Sequence, residues 1–196
     1  MHTASSVSPS TLRRKPALTI GAHWLSALAI VLAFTAVWLR ELVEGDALRA
    51  LILGLHRQLG LLVLLLWAVR LLLRWTHPAR ASGQPLPPLL HWAAAASHAV
   101  LYLVLLAMPV LGWAATNAQG HAVLWLNAVP LPTLVATDPD VADTLQEWHG
   151  WGGWTLGALV LSHLVAALWH HVVRRDHVLA TMLPLVQPRA PRTSND

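Results

Sequence analysis

Four stretches of the chain are apolar for long enough to cross a bilayer, and polar clusters separate them. The first, Ala17–Leu39, runs 23 residues without Asp, Glu, Lys or Arg. The second, Leu51–Leu73, is Leu-rich but interrupted by Arg57 and Arg70, so its charge-free middle, 58–69, is only 12 residues. Arg near the end of a span can lay its stem on apolar surface and keep its guanidinium among headgroups, so a span is still expected there. The third is Trp92–Trp113, with Pro109 near its end, where a kink is expected. The fourth holds no charge from Gly150 to Val173, 24 residues, where a bilayer core needs about 20. The pattern predicts helices over 17–39, 51–74, 92–113 and 149–173.

The connections differ in character. Residues 1–16 carry Ser and Thr and end in Arg13, Arg14, Lys15 and Pro16, which reads as a short tail. The apolar run behind them is longer than the core of a signal peptide and no clear small-residue cleavage site follows, so it is expected to be retained as a helix. Arg40–Ala50 reads as a charged loop, and Arg74–His91 as a Pro-rich one with Pro78, Pro85, Pro87 and Pro88. No charge occurs from Ala81 to Thr137. Ala114–Val135, broken by Gly120, Pro130 and Pro132, is therefore expected to lie on the membrane surface with Trp125 dipping in. Asp138, Asp140, Asp143 and Glu147 form an acidic approach to the fourth span, and a basic tail covers 185–196. Arg and Lys concentrate in both tails and in the loop between spans two and three. The positive-inside rule then places both termini in the cytoplasm. Four spans running up, down, up and down form an antiparallel bundle whose core can hold a cofactor.

Composition agrees and narrows the chemistry. The 196 residues are 56% hydrophobic and 11% charged, against about 25% charged in soluble domains. One membrane domain, 17–184, is expected. There is no Cys, which excludes disulfides, Cys-ligated iron–sulfur clusters and covalent c-type haem. The 13 Lys and Arg flank apolar runs rather than forming one basic face, so nucleic acid is not an expected partner. The 11 Trp suit interfacial belts, while 12 His ask for a cofactor.

Two of those histidines share the fourth span. His149 and His163 are fourteen residues apart, about 40° short of four helical turns and roughly 21 Å along the axis. One face of one helix thus offers a nitrogen near each side of the bilayer, an arrangement suited to two stacked haems. The plainer reading is a pair of hydrogen-bonded polar residues in a helix bundle. Topology gives His56 the same depth as His149, at the outer side, and His23 the same depth as His163, at the inner side. His98 is also at inner depth, so depth alone cannot choose two of His23, His98 and His163; His91 competes near the interface. His77, His121, His170, His171 and His177 sit at helix ends or in loops, where solvation suffices. Two neutral imidazoles on one iron make a six-coordinate electron-transfer centre.

The chain resembles the bacterial cytochrome b561 family and, more broadly, the cytochrome b subunits of nickel–iron hydrogenases. The resemblance covers roughly 17–184. It rests on H-W at His23–Trp24, L-H at Leu55–His56, V-R-L-L-L-R at Val69–Arg74 and S-H-A-V-L-Y ahead of M-P-V-L-G within Ser97–Gly112. W-H at Trp148–His149, S-H-L-V-A-A-L-W-H-H at Ser162–His171 and M-L-P at Met182–Pro184 complete it. It implies an all-α membrane protein, a four-transmembrane-helix antiparallel bundle with two haems in its core. It also implies two haem b per chain, on His23 with His163 and on His56 with His149. His98 is left beside the inner haem, bonding a propionate or lining a quinone pocket. The Trp-rich fourth span and the long apolar third connection depart from the family's usual pattern.

By that resemblance the protein is expected in the bacterial inner membrane, among lipid, as an oxidoreductase-like electron carrier. Its expected partners are ubiquinone and an outer donor, either superoxide or a redox protein. Arg57 and Arg70 are expected to meet haem propionates, since a carboxylate near the bilayer needs a cation and Arg binds it bidentately; snorkelling to headgroups is the alternative. The chief alternative function is the haem-bearing anchor of a larger hydrogenase or dehydrogenase. A histidine-lined metal transporter or a purely structural membrane protein stand further off, because none of the four spans holds Asp, Glu or Cys.

Overall fold

The computed structural model describes residues 16–77, 87–176 and 179–183. Most of the first tail, part of the Pro-rich loop, His177 and the whole of the last tail lie outside the described residues. Four long helices carry the fold: α1 (Ala17–Leu42), α2 (Asp46–Thr76), α3 (Pro88–Ala118) and α4 (Pro139–Trp169), the last continuing as a π-helical turn over His170–Arg174. Each contains a stretch long and apolar enough to cross a membrane.

Every helix outruns the apolar stretch that announces it. A 31-residue helix is about 46 Å long, well beyond a hydrocarbon core of about 30 Å, so its ends stand among headgroups and in water. The stretch Arg40–Ala50, expected as a loop, is mostly helix: only Val43–Gly45 connects α1 to α2. Gly45 turns the chain at φ 92°, a conformation natural to glycine, and Arg49 Nε donates to the Val43 carbonyl at 3.0 Å. The acidic residues 140–147, expected ahead of the fourth span, form its first turns instead. Asp138 caps them, its carboxylate accepting from the backbone N–H of Asp140 at 3.0 Å and Val141 at 3.1 Å. Charge marks the edge of the hydrocarbon, not the end of the hydrogen-bonded ladder. Pro109, where a kink is expected, lies inside one continuous α3.

Side-chain pairs give the directions. Arg70, late in α2, meets His23, early in α1. Met108, late in α3, meets Gly152, in the first half of α4. Trp67 of α2 donates to the Tyr102 carbonyl of α3 at 2.9 Å. The bundle is therefore antiparallel throughout. α1 packs along α2 and α3 along α4, whereas α4 makes no extended close approach to α1 or α2. At mid-height Ala29, Ile30, Val63, Leu101, Leu105 and Leu156 form the buried centre. Outward, Leu28, Val31, Leu103, Leu161 and Val165 are each more than half exposed, which only a lipid surround makes favourable.

The α3–α4 connection is built, not loose. β1 (Leu124–Trp125) and β2 (Val129–Pro130) pair antiparallel around Leu126 and Asn127, both at positive φ, 52° and 57°. That backbone is a tight hairpin turn. Gln58 of α2 holds it from both sides, donating to the Leu124 carbonyl at 2.8 Å and accepting from Leu126 N–H at 2.9 Å. Asn117 and Trp113 tie down the rest, through Leu134 N–H and the Pro132 carbonyl.

Candidate functional site

The histidines meet in two tiers at opposite ends of α4. At the end carrying the α1–α2 and α3–α4 connections, the rings of His56 and His149 meet edge to face, with centroids 6.0 Å apart and planes at 86°. At the other end His23 and His163 stand 6.4 Å apart at 60°. A metal–imidazole bond is about 2.0–2.1 Å and the ring centre lies about 1.1 Å behind the nitrogen, so imidazoles trans on one iron have centres about 6.3 Å apart. Both pairs match that spacing. His98 is nearer to His163, 5.4 Å at 83°, which is short for trans ligation and ordinary for an edge-to-face ring contact.

Second partners set the ring nitrogens. His56 Nδ1 donates to the Ala33 carbonyl at 3.0 Å, which leaves Nε2 as the lone-pair nitrogen. His149 lies against the bare backbone of Gly112; a Cβ there would sit 3.0 Å from its Cε1. His149 Nδ1 is buried beside the Met108 carbonyl without a completed hydrogen bond. At the other tier Arg70 Nη2 approaches His23 Nδ1 at 3.3 Å, and its guanidinium lies over the Tyr102 ring at 5.4 Å. His98 Nδ1 donates within its own helix to the Ala94 carbonyl at 2.6 Å. Trp24 packs edge-on against His23 and donates from Nε1 to the Met182 carbonyl, joining the 179–183 segment to the start of α1.

Among the described residues no three of His, Cys, Asp and Glu are placed to hold a bare metal ion. Two imidazoles supply half of what a bare tetrahedral ion needs, but all that an iron already held by four porphyrin nitrogens requires. The donor set thus fits haem. The model of the prokaryotic cytochrome b561 family matches residues 14–185. The chain belongs to this family. Cytochrome b561 homolog 2 of Escherichia coli (strain K12) is 28% identical over 175 residues, spanning 89% of this chain and 93% of that protein. The probable superoxide oxidase CybB of Yersinia pestis is 28% identical over 167 residues, 85% and 94% of the two chains. Cytochrome b561 homolog 1 of E. coli (strain K12) is 28% identical over 166 residues, 83% and 92%. This cytochrome is accordingly a multi-pass bacterial membrane protein of electron transfer, in a family that binds haem b.

Of the residues singled out from the sequence, His23, His56, His149, His163, His98 and Arg70 are all brought into the two tiers. Arg57 directly follows His56 on α2, about half-buried. The His77 ring meets its neighbour Thr76, and His91 and His121 are exposed. His170 departs from the expectation of a solvated histidine: its Nδ1 pairs with Asp176 at 2.5 Å, and Arg174 stands 3.8 Å from the same carboxylate. The residues that sequence reading missed act through backbone, as Ala33 and Met108 do, or through a missing side chain, as Gly112 does. For Gly112 the one available signal was a glycine placed after proline in an apolar helix.

Proposed function

We propose that this cytochrome moves single electrons across the membrane between a donor at its outer face and membrane quinone, using two b haems per chain. One is held by His56 and His149 near the outer face, the other by His23 and His163 near the cytoplasmic face. The carrying observation is the pair of ring separations, 6.0 and 6.4 Å, at two heights of one helix. Bound haem supplies the one-electron change at iron. The protein holds it: the Ala33 carbonyl orients His56, Gly112 makes room for His149, and the apolar mid-bundle keeps water out between tiers. The two imidazoles of each pair would hold the group, and the apolar packing around them would keep it to one-electron chemistry. The domain spans 17–184, with short cytoplasmic tails.

At the inner tier, an Arg70 donor facing His23 Nδ1 conflicts with the N–H that a ligating His23 carries there. Arg70 would then serve a propionate, and His98, one ring away from His163, would serve a propionate or quinone. Superoxide as the outer donor is supported by the likeness to the probable superoxide oxidase of Y. pestis and by the Arg57 guanidinium at the outer tier, which draws an anion.

The test is a pyridine haemochrome assay with a redox titration of the purified protein. Two haems per chain are expected, both low-spin, together with reduction by superoxide and reoxidation by ubiquinone. One haem per chain removes a pair, and none overturns the reading.

A further inference from the structure

Along the seam between α3 and α4, side chains of each helix sit on glycines of the other. His149 of α4 lies in the space left by Gly112 of α3. About one turn deeper the exchange reverses, and Met108 of α3 lies on Gly152 of α4. A Cβ at Gly152 would sit 2.5 Å from Met108 Sδ and 3.7 Å from its Cε, so the thioether fills the space a side chain would need. Gly153 extends the notch, with Met108 Cε 3.9 Å from where its Cβ would stand. Met108 and Gly112 are four residues apart, His149 and Gly152 three, about one turn on each helix. Two interlocked contacts one turn apart fix both the slide and the rotation of one helix on the other.

The placing of His149 depends on that seam. α4 carries this histidine, yet it packs along α3 and makes no extended close approach to α2, which carries His56. Phe34 of α1 reaches α4 at ordinary contact, 3.8 Å from where a Cβ of Gly157 would stand, which leaves α4 free to slide past it. A slip of one residue along α4 would turn His149 through about 100° and move it about 1.5 Å. The two outer histidines are also held in different ways. His56 has its hydrogen bond to the Ala33 carbonyl. His149 Nδ1 is buried with no completed hydrogen bond among the described residues, so packing sets its ring, at 86° to that of His56. Methionine suits such a pin, being unbranched and able to fill an irregular gap.

We propose that the Met108 thioether, seated on Gly152, is the positioning group that sets the height and rotation of α4 and, through them, the orientation of His149 toward His56. Its effect on a haem rests on the two-haem reading; its effect on the helix pair does not.

The experiment uses purified, haem-loaded protein: wild type, Met108→Ala, Met108→Leu, Gly152→Ala and the Met108→Ala/Gly152→Ala double variant. Redox titration gives the two potentials. The ferric low-spin electron paramagnetic resonance signal reports the angle between the imidazole planes on each iron. The chain has no Cys, so spin labels on cysteines placed at exposed Leu103 of α3 and Asp143 of α4 report the helix register independently of haem. Met108→Ala should raise the midpoint potential of the haem that His149→Ala removes, because a loosened imidazole stabilises ferric iron less. It should also change that haem's resonance signal, broaden the label distances and leave the other haem as it was. Met108→Leu should match wild type, since a leucine Cδ stands where the sulfur does. Gly152→Ala evicts the thioether and should reproduce the Met108→Ala shift. The double variant should shift no further than the larger single, because both break one contact. If Met108→Ala loses the outer haem altogether, retention in Met108→Leu with loss in Gly152→Ala supports the pin, and loss in Met108→Leu overturns it. A Met108→Ala protein with wild-type outer potential and signal overturns it too, whatever the label distances do. A wild type with fewer than two haems sinks the two-haem reading. The label distances then judge the pin: broadening in Met108→Ala that Met108→Leu reverses supports it, and unchanged distances overturn it.

Discussion

At the scale of single residues, the two tiers rest on a few contacts of unlike kinds. Gly112 serves by what it lacks. A methyl group there would meet the His149 ring at 3.0 Å, closer than side chains normally pack, so the ring or the helix must move. Gly112→Ala is expected to weaken haem retention at the outer tier by about 10–100-fold, the range seen when support around a metal ligand is lost. Haem per chain during dilution, together with the spectrum of the retained haem, checks this; a variant indistinguishable from wild type in both would remove Gly112 from the site. Ligand pairing gives a second expectation. His56→Ala and His149→Ala should each abolish the same low-spin haem, and His23→Ala and His163→Ala the other. His98→Ala should retain both, because 5.4 Å to His163 is too short a separation for two trans ligands. Spectra resolved by potential decide between the pairs, and loss of a haem in His98→Ala with retention in His23→Ala would reverse the inner assignment.

At the scale of elements, the hairpin between α3 and α4 hangs on Gln58, two residues past an outer histidine. Two hydrogen bonds, each worth about 0.5–1.5 kcal/mol, hold it there. Gln58→Ala is expected to raise amide exchange at Leu126 by roughly 5–150-fold while α2 stays protected, since 1.4 kcal/mol is about a factor of ten. Equal exchange in variant and wild type would show that Asn117 and Trp113 suffice. The first turns of α4 depend likewise on Asp138. Removing that cap costs about 0.5–2 kcal/mol, so Asp138→Ala should fray 140–144, seen as faster exchange at Asp140 and Val141, with haem content untouched. Haem content is insensitive because His149 lies more than two turns further along the helix.

At the scale of the whole molecule, the antiparallel order of four spans ties the two tiers to opposite faces of the membrane. Both termini are expected in the cytoplasm, because the two ends of the chain and the connection between the second and third spans hold nine of the 13 Arg and Lys. Reporters fused at the C-terminus should be active only as cytoplasmic reporters, and a cysteine placed in the Val43–Gly45 turn should react with an impermeant thiol reagent from outside. Labelling from the cytoplasmic side alone would invert the molecule and exchange the roles of the two tiers. The hairpin's Leu124, Leu126 and Val129 are exposed beside the His56–His149 pair.

The four spans, and the relation between His149 and His163, were legible because both follow from one helix. Hydropathy reports which backbone must bond internally to enter lipid, and fourteen residues at a helical period place two rings on one face whatever surrounds them. Helix ends were not legible in that way: α4 begins at Pro139 because a local cap competes well in water, where hydropathy has no say. Only the tertiary structure separated His23 from His98 as neighbours of His163. Equal depth on two helices says nothing of the distance across the bundle, and 6.4 Å against 5.4 Å is set by how α1 and α3 each lie against α4. The same holds for the Ala33 carbonyl that orients His56, since every residue carries a carbonyl and packing alone decides which one is met.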